Sequence, residues 1–457
     1  MFDKVLIANR GEIAVRVITT LRRLGIASVA VHSDVDADSL HVRLADEAVP
    51  IGAAPVSESY LRIDRIIEAA LATGAQAVHP GYGLLSENPD FARACTSAGL
   101  VFIGPSPESM EMMSSKIRAR ETVAAAGVPV VPGYTEPVVP GPEAFAMAEA
   151  IGYPVAVKAA SGGGGKGFRV AYGPDELVAA MEGASGEGER FFGDATVYLE
   201  RYLEDPRHVE VQIIADTHGT TLHLFERDCS IQRRHQKLIE EAPCPVLTDA
   251  QRQRLGEIAV LAAKAANYHS VGTVEGLLVG DDFYFLEMNT RIQVEHPVTE
   301  LVTGLDLVAE QIRIAAGEPL SFAQSDVRIT GHAIECRINA ESAAKGFRPG
   351  PGRIDRFVVP AGDGVRVDSG VVDGDTVHPY YDPMIAKVIT WGEDRRAATD
   401  AMRKALDETA VSGIPTLIPF HRALLASPEW ENAGTCRELI EDRAWLRSTD
   451  SWGDGRE

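Results

Sequence analysis

Residues 283–295 read Phe-Tyr-Phe-Leu-Glu-Met-Asn-Thr-Arg-Ile-Gln-Val-Glu. In an extended chain alternate side chains share a face. The spacing therefore predicts one strand with Glu287, Asn289, Arg291, Gln293 and Glu295 on one side. Leu286, Met288, Ile292 and Val294 fall on the other. Two carboxylates and an amide suit a hard cation such as Mg²⁺, which takes oxygen ligands. A guanidinium beside them suits a small planar anion, and the terminal glutamate can act as a base. A solvated strand gives the same alternation, so the stretch alone leaves both readings open.

Upstream lie further candidates for the same site. Glu275, in Gly-Thr-Val-Glu-Gly, falls on a neighbouring strand, and alone it reads equally as a surface carboxylate. The segment 226–241, ERDCSIQRRHQKLIEE, gathers Arg227, Arg233, Arg234, His235 and Lys237. In extended geometry His235 and Lys237 share a face; a solvated charge run is the alternative. Tyr153–Lys158 (YPVAVK) reads as a strand ending in lysine that runs through Ala-Ala-Ser into four consecutive glycines, Lys166 and Gly167. Glycines let successive backbone N–H groups cradle phosphate oxygens, and lysines supply point charges, although a flexible linker has the same composition. The spacing is not that of a P-loop. Taken together, glycines, lysines, carboxylates and an Asn describe a MgATP site. Arg291, Lys237 and Glu295 describe a neighbouring site for a small anion that attacks the γ-phosphate. The reaction class is ATP-dependent activation of a carboxylate-like acceptor.

The totals agree with an enzyme of this kind. The chain has 457 residues, 45% hydrophobic and 24% charged, which predicts several globular domains. A formal net charge of -22 argues against nucleic acid or an anionic membrane as partner. Cys95, Cys229, Cys244, Cys336 and Cys436 are scattered, with no CxxC, and read as reduced cytosolic thiols. No apolar run approaches the ~18 residues of a membrane span, and no leader pattern is evident, so a cytoplasmic location is expected.

The fold class expected is α/β (α+β). Residues 5–8, a helix with Ile13, Val17, Ile18, Leu21 and Leu24 on one face, and Ser28–Val31 form a βαβ unit, joined by Ala75–Val78 and Val101–Ile103. Its first turn has one glycine rather than GxGxxG, so no dinucleotide site is expected. A boundary is placed near 114. The five prolines of 128–142 form a stiff connection into a second unit of hairpin-like strands: Val155–Lys158, Thr196–Leu199, Glu210–Ile214 and Thr221–Phe225. A third unit starts near Gly331 and closes with a helix from Arg395 to about Leu406. The polar residues 448–457 are expected to fray.

These residues match a family. The chain resembles the biotin carboxylases of the ATP-grasp superfamily, such as the separate subunit of bacterial acetyl-CoA and acyl-CoA carboxylases. The matching strings include IANRGEIAVRV, VHPGYGLLSEN, FIGPSPESM, SGGGGKGF, ERDCSIQRRHQKLIEEAP, FLEMNTRIQVEHPVTE, GHAIECRINAE and PYYDPMIAKV, nearly collinear from residue 1 to about 447. The resemblance implies an ATP-grasp fold: a Rossmann-like domain (1–114), an ATP-grasp domain (115–330) with a mobile lid at about 130–204, a β-rich C-terminal domain (331–447) and a polar tail. It implies a ligase that carboxylates biotin through carboxyphosphate, with ATP and Mg²⁺ or Mn²⁺, as the first half-reaction of an acyl-CoA carboxylase in fatty acid metabolism.

The family's roles are carried over by position. Lys116, Lys158, Gly163, Gly164 and Gly165 resemble phosphate ligands, and Glu200, Arg201, Tyr202 and Leu203 the adenine hinge. His208, Gln232, His235, Glu275, Leu277 and Glu287 complete the nucleotide site, and Glu275, Glu287 and Asn289 are the implied metal ligands. Lys237, Arg291, Gln293, Val294 and Arg337 resemble the bicarbonate site, Glu295 the base, and Arg337 with Tyr82 the biotin contacts. Lys237, Arg291, Glu295 and Arg337 form the implied catalytic set. The implied partners are a biotin carboxyl carrier protein and a carboxyltransferase. They are expected as separate chains, because there is no AMKM-like biotinylation motif here. A homodimer is implied too, although Thr19 and Asp363 stand where its interface usually has an arginine and a phenylalanine. Arg201 replaces the hinge lysine. Gly276 stands where an aromatic is expected, which predicts looser packing behind Glu275. Other readings are an ATP-grasp ligase with a different acceptor, against which ECRIN and EHPVTE argue, and a nucleotide-binding subunit with a dead site, for which no ligand or base is lost.

Overall fold

The computed structural model describes residues 1–134, 136–160 and 166–453. Gly163, Gly164 and Gly165 lie outside them. The apolar run after Lys4 makes the central strand, Lys4–Ile7, of a five-stranded parallel sheet. Its order is Glu47–Gly52, Ala27–Ser33, Lys4–Ile7, Ala77–His79, Val101–Phe102. The helix Gly11–Leu24 buries Ile13, Val17, Ile18 and Leu21 and stops at Gly25, which takes φ 72°. Strand order reverses at Lys4–Ile7, so a crevice opens at the carboxyl ends of this strand and Ala77–His79. Asn9 spans it: its Nδ2 donates to the carbonyls of Pro80 (2.7 Å) and Tyr82 (2.8 Å).

The second sheet is antiparallel and eight-stranded. Its order is Asp282–Asn289, Ser270–Val279, Arg207–Ala215, Thr221–Arg233, Gln236–Ala242, His332–Asn339, Met384–Gly392, Val365–Ser369. It runs without a break past residue 331, because Gln236–Ala242 pairs directly with His332–Asn339. One face carries the apolar alternates. Val209, Val211, Val274 and Met288 pack on helix Asp249–Ala265, and Ile334, Cys336, Ile338 and Val388 pack on helix Arg395–Glu408. The charged alternates therefore fall on the opposite face. A third, three-stranded sheet, Phe168–Ala171, Val155–Ala159 and Val197–Arg201, has its own small core with helices Pro142–Ile151 and Pro174–Phe192.

Three expectations need correction. Residues 283–295 are not one strand. The strand ends at Asn289, and the chain then bends into helix His296–Thr303. A bulge at Leu286 also shifts the alternation, so Phe283 and Phe285 precede it in the core and Met288 follows it there. Secondly, residues 448–453 do not fray: Thr449–Trp452 forms a 3₁₀ turn, Thr449 is buried, and Arg422 donates to the Trp452 carbonyl. Thirdly, Gly276 leaves no void. A Cβ there would stand 2.2 Å from Phe283 Cζ and 2.7 Å from the Tyr284 carbonyl oxygen, so the Phe283 ring already fills the space.

We expect Gly276→Phe to destabilise the protein by about 1–3 kcal/mol through overpacking. Gly276→Phe combined with Phe283→Ala should cost less than the sum of the two single changes, because the rings compete for one space. Urea denaturation of the four proteins checks this; strict additivity would refute it.

Candidate functional site

The register of the eight-stranded sheet builds the site. Arg227 faces Glu210, Glu210 faces Glu275, and Glu275 faces Glu287, a row across four strands. Side chains opposite one another in a ladder project from the same face. Beside this row, His208 faces Leu277. The hairpin Thr221–Arg233 to Gln236–Ala242 turns on Arg234 and His235, both at positive φ (49° and 65°), the two-residue turn that suits sheet twist. It sets Lys237 over the carboxylates.

Lys237 Nζ donates to Glu210 (2.5 Å), Glu275 (2.9 Å) and Glu295 (2.6 Å). Asn289 Nδ2 (2.8 Å) and Gln293 Nε2 (2.5 Å) also donate to Glu275, whose other oxygen lies 2.8 Å from His208 Nε2. Glu295 takes Arg337 on its second oxygen at 3.0 Å. Arg291 donates to Asn289 Oδ1 and Glu87 at 2.9 Å each. The bend after Asn289 thus brings together Glu287, Asn289, Arg291, Gln293 and Glu295, which strand alternation alone does not. The basic run divides. Arg227 and Lys237 enter the site, His235 caps the hairpin, and Arg233 leaves to bond the Gly346 carbonyl and stack on Phe347.

Among the residues expected to meet the nucleotide, Glu200 is held by both Arg120 and Lys158, so its side chain is spoken for. Arg201 and Tyr202 donate their backbone N–H to Pro132 and Pro154. Gln232 donates to the Cys229 carbonyl. Burial lowers the pKa of Lys116, Glu287 opposes that, and nearby Lys158 adds to it. Lys158 is already paired with Glu200, and Lys116 has Glu287 as its leading anionic neighbour.

Electrostatics sort the acids. Burial works against Glu295, but Lys237 and Arg337 hold its pKa below the usual carboxylate value. Glu275 is likewise held well below by Lys237 and His208 despite burial. Glu287 is raised, by burial and by Glu275. Two carboxylates placed so that one raises the pKa of the other are a donor pair that a divalent cation would relieve, while the Asn289 oxygen is here taken by Arg291.

Several residues of the site are either unmarked in the sequence or, like Arg227, visible only as part of a charge run. Arg227 is fully buried and bonds Glu210, Gln212, Thr273, Gln293 and Thr299. Glu240 holds Arg337 Nε at 2.6 Å, and burial raises its pKa to about 7. Glu210 and Glu87 complete the set. Glu210 opens the predicted strand Glu210–Ile214, but nothing in the string marks it as a site carboxylate. Tyr82 lies across the sheet crevice, its carbonyl on Asn9. Thr19 bonds its own helix at Val15 and lines a cavity of about 450 Å³ with Arg16, Arg23 and Arg366, whereas Asp363 is exposed.

Comparison with known proteins places this geometry. Residues 1–110 match the family described as biotin carboxylase, N-terminal domain. Residues 115–323 match carbamoyl-phosphate synthase L chain, ATP binding domain, and 335–442 match biotin carboxylase C-terminal domain. The chain is 52% identical over 442 residues to the biotin carboxylase of Nostoc sp., covering 96% of this chain and 99% of the relative. It is 50% identical over 444 residues to the biotin carboxylase of Haemophilus influenzae, covering 97% and 99%. A pyruvate carboxylase component from Methanothermobacter thermautotrophicus is 54% identical, covering 97% and 90%. Among solved structures, the biotin carboxylase domain dimer of Hydrogenobacter thermophilus 2-oxoglutarate carboxylase, bound to MgADP, ADP and bicarbonate, superposes with TM-score 0.92. The two are 47% identical, covering 98% of this chain and 99% of that one.

One titration is testable without any ligand. Burial disfavours the charged form of His208, but Glu275 and Glu210 outweigh it and raise its pKa from 6.5 to about 9. A raised base stabilises fully below its unfolded value and loses that contribution as pH rises through the folded one. The thermal midpoint of the metal-free protein should therefore fall between pH 6.5 and about 9, and His208→Gln should flatten that part of the curve. An unchanged slope in the variant would contradict the assignment.

Proposed function

The chain belongs to the biotin carboxylase family, and from that premise we propose how its residues divide the work of carboxylating biotin with ATP and bicarbonate. The observation that carries the reading is the junction of Lys237, Glu295 and Arg337: one carboxylate held between two cations, at 2.6 Å and 3.0 Å. Bicarbonate is a weak nucleophile, so a base within hydrogen-bond reach of its O–H raises its reactivity. Glu295 is that base. Lys237, Arg291, Gln293 and the backbone of Val294 hold the anion.

Lys116 and Lys158 take the phosphates, joined by Gly163, Gly164 and Gly165. Glu200, Arg201, Tyr202 and Leu203 form the hinge for the base, with His208, Gln232, His235 and Leu277 around it. Glu275, Glu287 and Asn289 would hold Mg²⁺, which when bound offsets charge on the transferring phosphoryl group. Transfer to bicarbonate gives carboxyphosphate, a species lost to water unless the segment at about 130–204 closes over it.

Arg337 links the two halves of the reaction. A guanidinium keeps its charge when buried, so it can face the enolate-like oxygen of biotin beside Tyr82. When biotin draws Arg337 away, Glu295 loses a cation and becomes a stronger base. Biotin should then speed the bicarbonate step.

The enzyme acts with a biotin carrier and a carboxyltransferase. We place these on separate chains, with the transferase choosing the final acceptor, an acyl-CoA in the reading favoured by the sequence. A homodimer would use the face around Thr19 and its cavity. Nothing in the described residues is long and apolar enough to cross a membrane as a helix.

The direct test is ATP hydrolysis with Mg²⁺, bicarbonate and free biotin. Turnover should require bicarbonate and rise with biotin, and Glu295→Gln should lower it by about 10²–10⁴-fold. Turnover indifferent to both co-substrates would point to another ATP-grasp ligase.

A further inference from the structure

Lys387 is fully buried on strand Met384–Gly392, and no role in the reaction described above uses it. In the ladder it stands directly opposite Arg337 on one side and Asp368 on the other. Arg337 and Lys387 therefore project side by side from the charged face of the sheet. Arg337 reaches the Glu295 carboxylate at 3.0 Å. Lys387 Nζ reaches the backbone carbonyl of the preceding residue, Val294, at 2.6 Å. The carboxylates beside it are farther: Glu12 at 3.6 Å and Asp368 at 3.9 Å. The closest acceptor of this ammonium is thus a main-chain oxygen of the bend between strand Asp282–Asn289 and helix His296–Thr303.

Resting on the reading of this bend as the bicarbonate site, we propose that Lys387 is a positioning residue. Its ammonium pins the Val294 carbonyl, so that the adjacent Gln293 side chain, Val294 backbone and Glu295 carboxylate meet the anion in one geometry. Two cations on neighbouring strands then clamp consecutive residues, one by side chain and one by main chain.

The surroundings say why a lysine is kept in so costly a place. Burial opposes its charge, but Glu12, Glu335 and Asp368 outweigh it, with Arg366 opposing them. Glu335 and Glu12 have buried oxygens without a hydrogen-bond partner among the described residues, and burial pushes Glu335 well above the usual carboxylate value and Glu12 up to about 7, so neither draws the ammonium off the carbonyl; Asp368, held low by Arg366, is the acid that stays charged beside it. A methionine has nearly the same reach and bulk and lacks only the ammonium. Packing alone does not require the charge.

Lys387→Met, assayed by bicarbonate- and biotin-dependent ATP hydrolysis, should raise the bicarbonate KM by about tenfold or more, as expected for loss of a charged hydrogen bond that orients a site. The ATP KM should stay within about twofold, because the nucleotide contacts lie on other strands. If the single change leaves Glu12 unbalanced and the protein does not fold, Lys387→Met with Glu12→Gln removes both charges and is read the same way. A bicarbonate KM unchanged in a folded variant overturns the proposal, as does a parallel rise in both KM values, which would mark a general packing role. If the unmutated enzyme itself shows no dependence on bicarbonate, it is the reading of the reaction that fails rather than the role of Lys387.

Discussion

Three buried carboxylates, Glu210, Glu275 and Glu295, share the single ammonium of Lys237. Desolvating one ion costs several kcal/mol, and that cost is offset only where partners are close and well oriented. Much of the neighbourhood follows from this constraint. Arg227, buried on every side, balances Glu210. His208 balances the far oxygen of Glu275, and Arg337 the far oxygen of Glu295. The result is a site in which acids and bases are already aligned, so charge that develops during a reaction meets fixed partners rather than water that must reorganise.

The eight-stranded sheet makes that arrangement possible because its two faces do different work. Its apolar face packs against helices Asp249–Ala265 and Arg395–Glu408 and holds the strands in register. The register then places charges in rows. Because strands from both halves of the chain join in one sheet, Arg337 and Lys387 arrive opposite the bend at residues 294–295, which is set by strands far away in sequence.

The parallel sheet adds a second anchor. At its switch point Asn9 ties the end of the first strand to the loop bearing Tyr82, and Glu87, from the same loop region, bonds both Thr290 and Arg291. The loop expected to meet biotin and the guanidinium expected to meet bicarbonate are thereby joined by a direct ion pair, and movement of one would be felt by the other.

The sequence by itself determined the βαβ start, the amphipathic helix Gly11–Leu24, most strand positions and the family, because local periodicity and long motif strings are local properties. It also marked Glu287, Asn289, Arg291, Gln293 and Glu295 as one group, with Glu275 on a neighbouring strand, though through an alternation that the bend after Asn289 does not keep. It read Gly276 as a gap, since a one-dimensional string does not say that Phe283, across the ladder, swings into the space. Only the tertiary structure decided that Arg227 and Lys237 join the carboxylates while Arg233 leaves them, and that Glu210, Glu240 and Lys387 meet Lys237, Arg337 and the Val294 carbonyl. The reason is physical: which face a side chain takes is set by strand pairing, bulges and turns. The partner of a buried charge is a residue brought near by the sheet, and neither is encoded by the residue's immediate neighbours.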